Sequence, residues 1–521
     1  MRRLTILLVA VAIGLALNVS AHAEVIGIRG TFFDFVSDPW KLTADDKDES
    51  DSARFLQDGL LVIDDGKILA FGQYKEISPK YPELAITSYQ NKIIMPGFID
   101  GHIHFPQTRV IGAYGKHLLD WLNDYIYPEE ARYFDSDYAK IGAKKFVRDC
   151  LAAGTTTFQA FTTTRSETTI ALFDEADKLN MRIITGITGI DRNAPDYYKD
   201  TPKSFYDRSK KMIDEYHGKN RLLYAITPRF AYGSTAAQLT MCQKLKTEHP
   251  DCWVNTHLCE TIPEIDGVLG YFPDCKDYLA VYEKYGLVGH KFSGGHSIWL
   301  SESEFQRMHD KGACAVFCAC SNLWLGSGLF QLGSATDPRR PIRIAVGTDM
   351  GGGNTFSMLR VLNDCYKVGM LNNSYYSAIH SPVDLDPERA QRNKLSPYRA
   401  YYLATLGGAK ALYLDKWLGN FDPDKEADFI VLDLSDGPSE QSWLVSNANM
   451  PFGKPEVKPT AEQIKGRSFP TTKHECAMAL LAVIAVGDSR AIEETWVNGK
   501  KVYEQQTKPT LQPAVPTKTA K

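Results

Sequence analysis

The sequence predicts an α/β fold: a (β/α)8 barrel with a small β-sandwich domain built from both ends of the chain. From residue 93 to 412, short apolar runs rich in β-branched residues alternate with segments of helical character, which is the pattern of a parallel βα array. On either side, residues 24–92 and 413–504 have the character of short strands separated by turns. The chain of 521 residues is too long for one small core but suits a large barrel with an accessory domain.

The individual elements are predicted from the same patterns. The predicted strands of the barrel include Thr155–Phe158, Arg182–Thr188, Leu222–Ile226, Trp253–His257, Ala313–Cys318 and Arg343–Val346. The predicted helices include Tyr138–Leu151, Ile170–Leu179 and Ser204–Tyr216. Outside the barrel, strands are predicted at Ala427–Leu432, Ala477–Val486 and Ile492–Val502, with an Asp-Gly hairpin turn at Asp65-Gly66. The polar segment 436–475 is predicted to be an inserted loop, and residues 505–521 a disordered tail.

The first 23 residues have the three parts of a secretory signal peptide. Arg2 and Arg3 precede an apolar run from Leu4 to about Val19, and Ser20-Ala21-His22-Ala23 has the small residues of a cleavage site. The apolar run is short for a membrane span, so we expect no stable span after cleavage. The expectation is export to the periplasm or the medium. The alternative is a misassigned start and a cytoplasmic protein.

Composition and charge exclude some classes of function. The chain is 44% apolar and 23% charged, with a formal net charge of −4, so no general electrostatic attraction to nucleic acid is expected. Five of the ten cysteines lie in apolar runs, which indicates buried thiols rather than a disulfide framework: Cys150, Cys252, Cys314, Cys318 and Cys320. A disulfide between Cys259 and Cys275 stays open at this stage.

Polar residues that follow the predicted strands form a candidate metal site. His102 and His104 are two residues apart at a strand end, so their side chains share one face. His257 and Asp349 each follow another apolar run, and the carboxyl ends of barrel strands meet at one rim. Three histidines and one aspartate suit Zn²⁺, or alternatively Fe²⁺, with one position open for water. The same rule selects Arg229 and His296 as residues of the same rim.

The stretch Pro-Gly-Phe-Ile-Asp-Gly-His-Ile-His at 96–104 resembles the opening motif of the amidohydrolase superfamily, which consists of metal-dependent hydrolases and deaminases. Four further segments resemble the guanine deaminase family: His-Phe-Pro-Gln (104–107), Thr-Pro-Arg-Phe (227–230), Thr-His-Leu-Cys-Glu (256–260) and Gly-Thr-Asp-Met-Gly-Gly-Gly (347–353). The last of these and the His-x-His pair are shared across the superfamily, whereas the first two are more selective.

The resemblance implies a role for each matching residue. The metal ligands would be His102, His104, His257 and Asp349, holding one divalent ion, and the catalytic residues would be Glu260, Asp349 and His296, with Glu260 as the proton shuttle. The substrate contacts would be His104, Phe105, Pro106, Gln107, Arg229, Phe230, His257, Glu260 and Asp349. The implied reaction is attack of metal-activated hydroxide on C2 of guanine, which yields xanthine and ammonia. The resemblance also implies a homodimer.

The sequence departs from the family at residues 317–322 and at Gly-His-Lys-Phe-Ser-Gly (289–294), which precedes His296, and it leaves two alternatives open. The family commonly carries His-Cys-Pro-x-Ser-Asn, whereas residues 317–322 are Phe-Cys-Ala-Cys-Ser-Asn. We expect altered packing at Phe317 or weaker binding of the substrate, not loss of the metal. One alternative is a related amidohydrolase that deaminates or dehalogenates another heterocycle. The other is a non-catalytic binding protein that retains the fold.

Overall fold

A seven-stranded sheet joins the two ends of the chain. The computed structural model describes residues 25–42, 48–113, 118–374, 386–434 and 469–506. Numbered along the chain, the strands of this sheet are β1 (Ile26–Phe35), β2 (Ala53–Asp64), β3 (Lys67–Gln73), β4 (Ala85–Pro96), β14 (Phe429–Leu432), β15 (Ile492–Val497) and β16 (Lys500–Glu504). Their order across the sheet is β16-β15-β14-β4-β1-β2-β3, and only β1 and β4 pair in parallel. The sheet supports the additional domain predicted from the two chain ends, and Asp65-Gly66 forms its predicted hairpin turn.

The predicted α/β barrel is confirmed by eight parallel strands that nearly close on themselves. They are β5 (Phe98–His104), β6 (Thr155–Phe161), β7 (Arg182–Gly186), β9 (Leu222–Pro228), β10 (Trp253–Leu258), β11 (Phe292–His296), β12 (Cys314–Phe317) and β13 (Arg343–Val346), and the short β8 (Thr188–Gly189) pairs with β9. The first and last strands meet where the Asp349 amide donates a 2.8 Å hydrogen bond to the His102 carbonyl. The barrel therefore closes at the candidate metal site.

Helices account for most of the remaining elements, and α1 packs on the terminal sheet against β2 and β3. They are α1 (Tyr74–Ile77), α2 (Leu118–Trp121), α3 (Tyr127–Arg132), α4 (Ser136–Ala152), α5 (Ser166–Lys178), α6 (Pro202–Tyr216), α7 (Ala236–Glu248), α8 (Ile262–Tyr271), α9 (Tyr278–Lys284), α10 (Glu302–Lys311), α11 (Ala319–Trp324), α12 (Leu332–Ala335), α13 (Met358–Asn372), α14 (Pro387–Asn393), α15 (Pro397–Ala404), α16 (Leu406–Ala411) and α17 (Lys473–Val486). A π-helical turn, Leu122–Ile126, connects α2 to α3. None of the helices in the described ranges is both long and apolar enough to span a bilayer.

The predicted strand at Ala477–Val486 is wrong, because this run belongs to α17. An apolar run of this length is compatible with either a strand or a buried helix. The first residues of the run favour the helix. The Thr472 side chain accepts a hydrogen bond from the Glu475 backbone amide, and the Glu475 side chain accepts one from the Thr472 amide. This reciprocal pair is a capping box, which initiates a helix. The last residues of the predicted loop 436–475 also fall in α17. Residues 435–468 lie outside the described part of the chain, as do the signal segment and residues 507–521 of the tail.

All ten cysteines are free thiols, so the disulfide left open between Cys259 and Cys275 does not form. The five predicted buried thiols are buried. The prediction of buried thiols at these five positions is therefore confirmed.

Candidate active site

Four of the predicted residues converge at the carboxyl rim of the barrel. His102 and His104 end β5, His257 lies near the end of β10, and Asp349 follows β13. The Asp349 Oδ1 atom lies 3.3 Å from His102 Nε2 and 3.1 Å from His104 Nε2, and His104 Nε2 lies 3.3 Å from His257 Nε2. None of the four is more than 8% exposed. One ligand atom from each lies within 4.8 Å of the other three, so they form a single cluster.

Unusual backbone geometry is found at Asp349 of this cluster and at His296, which lies next to it. Asp349 has φ of 45° and His296 has φ of 65°, a left-handed conformation that is costly for residues other than glycine and is concentrated at functional sites. A Cβ atom at Gly295 would lie 2.4 Å from Cε1 of His102. Glycine at that position, on β11, therefore leaves space for the His102 ring in the barrel interior.

The donor set fits a divalent metal ion. His257 donates from Nδ1 to the Arg229 carbonyl at 2.7 Å, which leaves the Nε2 lone pair directed at the cluster. Burial lowers the pKa of His102 and lowers that of His104 to about 4, so both imidazoles are neutral at pH 7, as metal binding requires. Burial would raise the pKa of Asp349, yet hydrogen bonding and charge from the adjacent histidines hold it well below its usual value. One anionic and three neutral donors face one another around a space that suits a cation.

A second group of polar residues adjoins the cluster. His296 Nε2 lies 3.5 Å from Glu260 Oε2 and 3.8 Å from Asp349 Oδ2. Burial, followed by the charge of Asp349, raises the pKa of Glu260 to about 8. Its Oε1 atom accepts a 3.0 Å hydrogen bond from the Ser327 hydroxyl, and the Asn322 side-chain oxygen lies 2.8 Å from His296 Nδ1. A carboxyl group whose pKa lies near neutrality can both accept and release a proton at working pH.

A cavity at the rim opens onto both groups. Gln107, Arg229 and Phe230 contribute to its wall, as the sequence predicts. Apolar residues from α2, the π-helical turn and the segment after α11 complete the wall: Leu118, Trp121, Leu122 and Leu325. A π-helical turn is rare and is frequently found at functional sites.

Phe105 and Pro106, predicted as substrate contacts, do not line this cavity. Phe105 has no exposed surface and packs edge-on against Tyr133, with ring centroids 5.1 Å apart. Both residues lie in the first turn of a 3₁₀ helix, Phe105–Val110, and the chain has already turned away from the strand direction there. Only Gln107 from this turn lines the cavity.

The departure at Phe317 is accommodated by packing. Its ring stacks on Phe330 at a centroid distance of 4.5 Å, and both residues are fully buried. Phe317 belongs neither to the four-residue cluster nor to the cavity wall.

Four residues that the sequence did not single out support the site. Ser327 and Asn322 contact Glu260 and His296 as described above. Asp100 accepts hydrogen bonds from the amides of His102 and Thr348, both at 3.1 Å, and so joins the two strands that close the barrel. Glu130 contacts both Gln107 and Arg229. Asp100 could have been found from the sequence, because it is the aspartate of the 96–104 motif. No motif marks Glu130, which lies in α3.

Comparison with known proteins agrees with this geometry. Residues 93–502 match the amidohydrolase family. The chain is 40% identical to guanine deaminase of Escherichia coli (strain K12) over 480 residues, which cover 92% of this chain and 98% of that one. The crystal structure of guanine deaminase from Bradyrhizobium japonicum is 54% identical, covers 93% of this chain and 100% of its own, and superposes with a TM-score of 0.87. A guanine deaminase from C. acetobutylicum with guanine bound in its active site is 25% identical, with a TM-score of 0.75 over 92% of this chain and 100% of its own.

An α/β barrel with a buried His/Asp cluster at its carboxyl rim, matched over most of its length, defines the class: the chain belongs to the amidohydrolase family. Members of that family bind a divalent metal. At the level of identity found here, the chain belongs to the guanine deaminases within it.

Proposed function

We propose that the chain hydrolyses guanine to xanthine and ammonia. The observation that carries the proposal is the joint placement of the metal-binding cluster, Glu260 and the pair Gln107 and Arg229 around one cavity. The guanine deaminases of similar sequence support it. A non-catalytic binding protein with this fold would not need four metal ligands and a buried Glu260 around one cavity.

His102, His104, His257 and Asp349 would hold the metal, which we propose is Zn²⁺, with Fe²⁺ as the alternative. Imidazole nitrogen and carboxylate oxygen are ligands that both ions accept. When bound, a divalent ion supplies Lewis-acid activation of water, which makes a nucleophile available at neutral pH.

Glu260 would move the protons of the reaction. It would take a proton from the attacking water and deliver it to N3 of guanine. It would then carry the remaining proton of that water from the new C2 hydroxyl to the 2-amino group, which leaves as ammonia as the C2 carbonyl forms. The hydroxyl of Ser327 holds one oxygen of this carboxylate, so the other oxygen is directed toward the cluster. His296 lies within 3.8 Å of carboxylate oxygens of both Glu260 and Asp349, where its Nε2 can stabilise the attacking oxygen.

Gln107, Arg229 and Phe230 would bind the purine. The amide and the guanidinium provide hydrogen bonds to the polar edge of the base. The Phe230 ring provides an apolar face beside His257, with ring centroids 6.3 Å apart.

The test is formation of xanthine and ammonia from guanine by the purified chain, with bound metal quantified in the same sample. Asp349→Ala is the matched control because it removes one ligand of the cluster. Turnover that requires Asp349, with about one metal per chain as a single four-ligand site predicts, is the expected result. A fully metallated protein that leaves guanine unchanged would contradict the substrate and direct attention to triazines and pterins.

Two proposals concern the whole protein. The signal-like composition of residues 1–23 supports export, and mass spectrometry of the native protein should find Glu24 as its first residue; an intact Met1 in a cytoplasmic fraction would contradict it. The family resemblance supports a homodimer, for which light scattering should give twice the mass of the chain. A monomer at micromolar concentration would contradict this assembly.

A further inference from the structure

Glu130 is a buried carboxylate that both members of the purine-binding pair, Gln107 and Arg229, contact directly. It lies in α3, immediately after the π-helical turn, and is 0% exposed. Gln107 Nε2 donates to Glu130 Oε1 at 2.7 Å, and Arg229 Nη1 donates to the two carboxylate oxygens at 3.1 and 3.0 Å. The Tyr198 hydroxyl donates to Oε2. Four donor–acceptor contacts therefore converge on one side chain.

This arrangement determines which end of the Gln107 amide faces the cavity. An ionised carboxylate can only accept hydrogen bonds, so the NH₂ group of Gln107 must face Glu130 and the carbonyl oxygen must face away. That oxygen packs against Gly351, where φ is +125° and a Cβ atom would lie only 2.1 Å from it. Within the described ranges, Gln107 Oε1 accepts no hydrogen bond from the protein. Because Gln107 lines the cavity and its NH₂ group is engaged by Glu130, the polar atom that its amide can offer to a ligand is an acceptor.

Arg229 offers the complementary group. Its Nη1 atom is engaged by Glu130, whereas Nη2 and Nε make no hydrogen bond to any other described residue. Because a guanidinium carries donors only, these nitrogens can bind only an acceptor of the ligand. The residue is 3% exposed and lines the cavity. The wall thus presents one acceptor and one set of donors, both oriented through Glu130.

We propose that Glu130 is a positioning residue that selects purines with an N–H next to a carbonyl, as at N1 and C6 of guanine, over purines with an amino group at C6. The inference rests on the proposed function, because it concerns the same cavity. A 6-aminopurine has an acceptor at N1 and a donor at C6, the reverse of the lactam pattern. Its N1 acceptor would face the Gln107 oxygen, and its amino group would face the Arg229 donors, so neither pair could form a hydrogen bond. Unpaired polar groups of this kind discriminate strongly in a site that excludes water.

The test measures binding, not turnover. Hypoxanthine and adenine both lack the 2-amino group and differ in the edge that matters here, so calorimetric titration of the metal-loaded protein gives a preference ratio for the two bases. Glu130→Gln keeps the shape but can donate as well as accept, so the Gln107 amide is free to reverse. We expect the preference for hypoxanthine to fall at least tenfold. Glu130→Asp, which still only accepts, should bind both bases more weakly and keep the preference.

Glu129→Gln is the matched control. Glu129 is the preceding residue of α3, is 6% exposed and accepts from the Tyr138 hydroxyl at 2.8 Å, so its substitution removes a buried charge without touching the pair. Its preference ratio should stay within twofold of the wild-type value. An unchanged ratio in Glu130→Gln, or an equal fall in Glu130→Asp, would overturn the proposal.

If Glu130→Gln does not fold, the Gln107→Met variant tests the proposal instead. Removal of the acceptor should weaken hypoxanthine binding at least tenfold and leave adenine nearly unaffected, and equal losses for both bases would overturn the proposal. Guanine turnover by the wild-type protein is measured beside these titrations. A failure of the proposed function would show there, independently of the preference ratio.

Discussion

A buried group of four charges connects the amino-terminal end of the barrel to the terminal sheet, and its disruption should destabilise the protein without changing catalysis. Arg182 at the start of β7 and Arg221 before β9 contact Glu426 and Asp428, which precede β14. Glu426 Oε2 accepts from Arg182 Nε and from Arg221 Nη2, both at 2.8 Å, and Asp428 Oδ2 accepts from Arg221 Nη2 at 2.5 Å. All four residues are at most 6% exposed. The prediction concerns Glu426→Gln.

The expected destabilisation by Glu426→Gln follows from the charges that remain in the group after the substitution. The buried group has two positive and two negative charges, and the half-exposed Lys67 ammonium lies 3.6 Å from Glu426 Oε1. Glu426→Gln leaves the two buried arginines with one buried carboxylate. Breaking a buried ion pair in this way costs about 3–5 kcal/mol. The glutamine oxygen can still accept from one arginine, so we expect the lower end, about 3 kcal/mol. The active site lies at the opposite end of the barrel, so kcat and KM should not change.

Urea unfolding of the metal-loaded protein, followed by tryptophan fluorescence, measures the loss through the midpoint and slope. Asp58→Asn is the control, because the Arg29–Asp58 pair belongs to the same terminal sheet and both side chains are more than one third exposed. An exposed pair contributes at most about 1 kcal/mol. A loss for Glu426→Gln no larger than that of the control, or a parallel fall in kcat, would refute the reasoning.

The loss of unfolding free energy in Glu426→Gln should also depend on pH. Burial raises the pKa of Glu426, but hydrogen bonding to Arg182 and the charge of Arg221 outweigh it and lower the pKa below the ordinary 4.5. A carboxyl group with a lowered folded-state pKa stabilises the fold fully above its unfolded pKa and loses that contribution as the pH falls through the folded value. The gap between wild type and Glu426→Gln should therefore be constant near neutrality and narrow below about pH 4.5.

The remaining predictions concern catalysis. Glu260→Gln should lower kcat by about 10²–10⁴-fold, the usual contribution of general acid–base catalysis, while metal content measured by mass spectrometry stays unchanged; a variant with near-normal kcat would remove Glu260 from the mechanism. Dialysis against a chelator should abolish turnover and lower the melting temperature, and Zn²⁺ or Fe²⁺ should restore both; activity that survives complete metal removal would contradict the metal assignment. Phe230→Leu should raise KM for guanine roughly tenfold with little change in kcat, since a base–aromatic contact contributes about 1–3 kcal/mol, and a loss confined to kcat would argue against a role in binding the purine.

Local sequence patterns were sufficient where the determining interactions are local. Strand Arg343–Val346 and helix Pro202–Tyr216 lie where apolar runs and periodicity predict them. The sequence selected His296 as a rim residue but gave no bounds for the strand that ends in it. This strand, β11, has a Phe-Ser-Gly-Gly-His run that lacks β-branched residues and owes its conformation to pairing with β10 and β12. At α17 a local pattern was present, but the prediction did not use it. An apolar composition was given more weight than the capping box that begins the helix.

The sequence alone determined the fold class and the composition of the metal cluster, because histidines and an aspartate that end parallel strands must meet at one rim of a barrel. The tertiary structure alone decided what surrounds them. Glu130 is 99 residues from Arg229 and 23 from Gln107, and no local pattern distinguishes it from the adjacent Glu129. Phe105 and Gln107 are two residues apart, yet one packs in the core and the other lines the cavity. Which carboxylate becomes a buried partner depends on the packing of α3 against the rim, and that packing is a property of the whole barrel.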